Sequence, residues 1–81
     1  MSTNSKQDGN AVTTHSLPDG DYRATCRERN ALSAAANGHR PVFPHALMRV
    51  EDGWATFYRD DAAIWSCSAR YAAANFTIEP A

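Results

Sequence analysis

The sequence predicts one small α+β domain: an antiparallel sheet of three to four strands, one short helix after the first strand, and one C-terminal helix. Three observations carry this reading. Two runs of alternating apolar and polar residues meet at Asp52-Gly53, a dipeptide suited to a two-residue hairpin turn. A third alternating run covers residues 22–27. Two alanine-rich stretches, Ala31–Ala36 and Ala69–Asn75, each follow a residue able to cap a helix. Hairpins and small size favour antiparallel order, and 81 residues leave space for one core only.

Residues 1–16 are polar, hold one large aliphatic after the initiator, and cannot offset their ordering entropy by burial, which predicts a disordered tail ahead of a domain over residues 17–81. Pro18 and Gly20 then form a turn. In the strand that follows, Tyr22, Ala24 and Cys26 take the core side, and Arg23, Thr25 and Arg27 the other. Asn30 caps the first helix, which Asn37-Gly38 stops after two turns. Pro41 and Pro44 push Arg40 and Phe43 into extended conformations, so the segment around His39 and His45 reads as a rigid, polar connector.

The turn at Asp52-Gly53 sets the hairpin register, with Glu51 facing Trp54, Val50 facing Ala55, Arg49 facing Thr56, Met48 facing Phe57 and Leu47 facing Tyr58. Asp60-Asp61 makes a second turn. Residues 62–67 are short and apolar enough for a strand or a helix start, with the strand preferred. Ser66 or Ser68 caps the second helix, whose Ala69, Ala72, Ala73 and Phe76 share a side, and Phe76–Pro80 leaves as an extended end.

Composition narrows function by exclusion. Eight basic and nine acidic side chains leave a net charge of -1, which suits neither a polybasic nucleic-acid module nor an acidic DNA mimic. Residues 1–16 show neither the apolar core nor the basic start of a secretory leader, and no 18-residue apolar run exists, so a cytoplasmic protein with no membrane role is expected. Lys6 is the sole lysine among many arginines and alanines, a codon signature of GC-rich bacteria or their phages and plasmids. No metal or cofactor is expected: His15, His39, His45, Cys26 and Cys67 lack the paired spacing by which one short loop delivers two ligands to an ion. Cys26 or Cys67 would need a histidine base to become a nucleophile, and Cys26 reads instead as an inert core thiol. A bridge between them is disfavoured in a reducing cytoplasm. No phosphate loop, nucleophile elbow or catalytic carboxylate pair is present; Asp60-Asp61 reads as a solvated turn. Hence no enzyme activity is expected.

The informative feature is the hairpin's second face, where Leu47, Arg49, Glu51, Trp54, Thr56 and Tyr58 are too aromatic merely to meet water. Arg49, Trp54, Thr56 and Tyr58, with Arg23 and Arg27 alongside, are the candidate partner-binding residues. Trp, Tyr and Arg are what protein interfaces concentrate. Two rival readings remain open: packing by the domain's own helix or a homodimer mate, and single-stranded nucleic acid stacked on the aromatics, which Glu28, Glu51 and Asp52 oppose.

Val50, Glu51, Asp52, Gly53 and Trp54, followed by Tyr58, Arg59, Asp60 and Asp61 and then by Trp65, Ser66 and Cys67, give an apolar strand, a Gly-Trp turn exit, a charged turn and a closing Trp-x-Cys. This stretch resembles the C-terminal hairpin of a small anti-CRISPR protein directed at type I systems. The resemblance covers about 20 residues, and the Pro-rich connector and residues 68–81 depart from it. It implies a third strand over residues 62–67. It also implies a phage or plasmid accessory protein without enzymatic activity that binds a CRISPR effector complex, blocking target-DNA hybridisation or nuclease recruitment.

Overall fold

A computed structural model describes residues 17–81. The expected tail over residues 1–16 lies outside the described residues. The elements run β1 (Gly20–Cys26), α1 (Ala31–Ala36), β2 (His45–Glu51), β3 (Trp54–Arg59), β4 (Ala62–Ser68), α2 (Ala69–Asn75) and β5 (Phe76–Pro80). The strands form one antiparallel sheet in the order β4-β3-β2-β1-β5.

Local chemistry explains most boundaries. Asp52 and Gly53 both take positive φ, 50° and 78°, as the turn between β2 and β3 requires, and the register is the expected one from Glu51 opposite Trp54 to Leu47 opposite Tyr58. Asp60 and Asp61 repeat the device at φ 53° and 65°, so β4 returns along β3 as a strand and not a helix. The Asn30 side chain accepts the Ser33 N–H at the start of α1, and Ser68 Oγ accepts the Tyr71 N–H at the start of α2. α1 ends as Gly38 turns to φ 78°.

Besides Arg40, which lies in a turn closed by the Val42 and Phe43 N–H groups on the His39 carbonyl and not in an extended stretch, two expectations need correction. The sheet has five strands, not three or four, because Phe76–Pro80 pairs along β1, with Phe76 opposite Cys26 and Ile78 opposite Ala24. α2 is therefore a connection between two strands and not the last element. The second correction concerns His39, read as a polar connector residue and in fact 3% exposed.

β2 alternates strictly between exposed and buried positions. Ala46, Met48 and Val50 join Ala24 and Cys26 of β1, Ala55 and Phe57 of β3, Phe76 of β5, Ala69 and Ala72 of α2 and Val42 of the connector in one core. Phe57, Phe76 and Trp65 pack ring against ring, with centroids 5.3 to 6.0 Å apart. Burying Phe57 completely contributes about 1.5–3 kcal/mol. Because α2 and Val42 share this side, the opposite face of the sheet stays open among the described residues.

Candidate functional site

The open face is read in rows across the strands. One row runs from Glu79 through Arg23 and Leu47 to Tyr58 and Ala63. The next runs from Asp21 through Arg49 and Thr56 to Ser66, and a third from Glu51 through Trp54 to Ser68. Strand periodicity sends all of these side chains away from the core. Leu47 remains 56% exposed and Trp54 52%, whereas Thr56 and Tyr58 are half-buried between their neighbours. Leu47, Tyr58, Arg49 and Asp21, with Asp61 at the edge, line an open depression of about 370 Å³.

One ion pair is made on this face. Arg49 Nε donates to Asp21 Oδ1 at 2.8 Å. That bond and the guanidinium charge hold the Asp21 carboxyl below its ordinary value and raise Arg49 in return. Both groups are exposed, so the pair adds little to stability; its effect is to hold the guanidinium toward β1, on the side of Arg49 away from Thr56. Arg23 sits in register between Leu47 and Glu79. Glu51 flanks Trp54 in the third row.

The structure brings together five of the six expected residues: Arg23, Arg49, Trp54, Thr56 and Tyr58. Arg27 stands apart. β1 ends at Cys26, and the Arg27 guanidinium donates to the carbonyls of Ala74 and Phe76, at 3.0 and 3.1 Å, where α2 passes into β5. It closes a helix end by meeting carbonyls left without intrahelical partners. The reading in which the domain's own helix covers the aromatic face fails for α2, which packs on the other side.

A second cluster was not legible as a site. His39 Nδ1 lies 2.9 Å from Glu28 Oε2 and Nε2 lies 2.7 Å from Tyr71 Oη, while the ring packs against Trp65 and Phe76. Asn37 Nδ2 also donates to Glu28 Oε2, at 2.7 Å. The only advance signal was a histidine beside prolines. Arg59 was missed too: its guanidinium donates to the carbonyls of Pro41, Val42 and His45 and so clamps the connector.

The thiols are poor nucleophiles. Burial first, and the nearby Glu28 carboxylate second, push Cys26 up to about 11; burial does the same to Cys67. Both cysteines are free. Among the described residues no group of three or more His, Cys, Asp or Glu is placed to hold a metal ion. No helix there is long and apolar enough to cross a membrane.

Comparison with protein-family models, with curated proteins and with solved structures returns no match.

Proposed function

We propose that this protein acts by binding, as a stoichiometric inhibitor whose open sheet face docks on a protein component of a host complex. One observation carries the reading: Trp54 and Leu47 are more than half exposed on a sheet face that the described residues leave uncovered. A large indole held on a rigid strand supplies apolar area at low entropic cost, and such aromatics anchor protein interfaces when a rim of polar groups excludes water around them. The rim is present in Arg49, Asp21, Arg23, Glu79 and Glu51. The resemblance of residues 50–67 to anti-CRISPR hairpins directs the proposal to a CRISPR effector complex as the partner, in a bacterial cytoplasm.

The charge balance favours protein over nucleic acid. Arg49 is committed to Asp21, Arg23 lies beside Glu79, and Glu51 stands next to Trp54. Phosphate binding gains its affinity from counterions released by unopposed cations, and here acids oppose each one.

The test is capture of the tagged full chain from a bacterial host with an active type I CRISPR system, in nuclease-treated and untreated halves. Effector subunits recovered in both halves by the wild-type protein, and lost with Trp54→Ala, support the proposal. Recovery of nucleic acid that vanishes on nuclease treatment, or effector capture unaffected by Trp54→Ala, overturns it.

A further inference from the structure

Among the described residues the sheet has two open edges of contrasting character. β5 is short, carries Glu79 and closes on Pro80, features that discourage a further strand from pairing. β4 is longer and has neither safeguard: Ala62–Ser68 contains no charge and no proline. Its single irregularity is a register shift opposite Phe57 and Tyr58 that makes Ile64 the extra residue, towards the start of the strand. Residues 65–68 run on regularly, opposite Phe57, Thr56, Ala55 and Trp54.

The flank above this edge is incompletely buried. Ile64, Trp65 and Cys67 pack against the core yet are only half-buried, whereas their neighbours Ala55 and Phe57 on β3 are 0% exposed. Tyr71 of α2, whose ring centroid lies 6.1 Å from that of Trp65, is 38% exposed. An apolar, uncharged edge with half-covered side chains above it is a template for another strand.

The charges at its two ends indicate which strand. The Asp60-Asp61 turn precedes β4 and Arg70 follows it. Two copies of β4 laid antiparallel about a two-fold axis bring the acidic turn of each beside Arg70 of the other, twice over, with no like charges opposed between them. A parallel arrangement would set acid against acid. Such an interface is self-complementary, as a two-fold interface must be. A chain of only 81 residues, with its limited core, gains the most from burying such a flank.

We infer that this protein is a homodimer through β4, its two five-stranded sheets joined edge to edge into one continuous sheet. The open faces of both copies remain available, so this interface and the partner-binding proposal stand or fall separately.

Sedimentation of the full chain across the micromolar range tests the inference. The expected result is a concentration-dependent dimer that Ser66→Lys converts to a monomer with an unchanged far-ultraviolet circular dichroism spectrum. Ser66 is exposed, and a lysine there sets two ammonium groups along the joined edge. Arg70→Glu places acid beside acid and weakens the dimer about tenfold or more. A chain that stays monomeric throughout overturns the inference. A dimer indifferent to Ser66→Lys and lost with Trp54→Ala does the same, since the contact then lies on the open face.

Discussion

The Nε2 atom of His39 and the hydroxyl oxygen of Tyr71 lie 2.7 Å apart, tying the connector to α2 across the edge of the core. With Glu28 on the other ring nitrogen, this one imidazole joins three segments far apart in sequence. A buried ring with both nitrogens satisfied costs little, but with one orphaned it costs the desolvation of that nitrogen. Tyr71→Phe keeps the ring contacts with Trp65 and removes only the hydroxyl. It should lower stability by about 1–3 kcal/mol in urea unfolding. An unchanged unfolding midpoint would show that water takes over the bond.

Acid should loosen the same region. The Asn37 amide first, and then, against the opposing effect of burial, the backbone N–H of Glu28 and His39, hold the Glu28 carboxyl below its ordinary 4.5. Arg49 holds Asp21 below its ordinary 3.8. In both cases the unfolded chain takes up a proton at higher pH than the folded one does. The stability these groups contribute is therefore complete above about pH 4.5 and is lost as pH falls through the lower folded values. Urea midpoints followed from neutral pH downward should decline through this window, and less steeply in Glu28→Gln. An equal decline in that variant would assign the acid sensitivity to other carboxyl groups.

Short-range chemistry explains which parts of this fold are legible in the sequence. Asp52-Gly53 admits positive φ at two successive residues, and strand periodicity then leaves one register, so the pairing from Glu51 to Leu47 and the faces of β2 and β3 follow from local residues alone. Both helix caps are local in the same sense. β5 is not: five residues ending in Pro80 pair only because α2 delivers them to β1, a relation between positions some 50 apart. Arg27 fails as a face residue for a related reason, since its partners are carbonyls at the end of α2. Glu28, His39 and Tyr71 belong to separate segments, and no spacing rule joins them. The open-face residues were legible because they occupy alternate positions on paired strands.

Arg59 offers a test of how the connector is held. Its guanidinium meets the carbonyls of Pro41, Val42 and His45 between 2.6 and 3.0 Å, a planar fork that an ammonium group cannot reproduce. Arg59→Met retains most of the aliphatic stem and should cost about 1.5–3 kcal/mol in chemical denaturation. Amide exchange should quicken around Val42 and Phe43, whose N–H groups bond within the connector to His39. Exchange that quickens uniformly over the sheet instead would show that the clamp contributes only to global stability.

The thiols provide a check on chemical inertness. With Cys26 and Cys67 both pushed up to about 11, almost none of either is thiolate at neutral pH. Iodoacetamide at mildly alkaline pH should label both slowly in the native protein and quickly in denaturant. At dilution, with β4 unpaired, Cys67, half-buried on the edge strand, should react before the buried Cys26. Rapid native labelling of Cys26 would reveal an opening of the core at the junction of β1 and β5.

Trp54 and Phe57 sit three residues apart on β3 and face opposite ways, one 52% exposed and the other 0%. If the open face is a binding surface, the two must respond oppositely to truncation. Phe57→Ala empties a site ringed by Trp65 and Phe76 and should cost about 3–5 kcal/mol, enough to threaten folding in a domain this small. Trp54→Ala removes a side chain that no core contact needs and should shift stability by about 0.5 kcal/mol or less. Its effect should fall on association with the proposed protein partner, weakened by about 2 kcal/mol, roughly 30-fold. Unfolding and binding titrations on the two variants separate the cases. If Trp54→Ala unfolds the chain as Phe57→Ala does, the indole is structural and the face is no interface. If it leaves both fold and binding intact, the anchor lies elsewhere on the molecule.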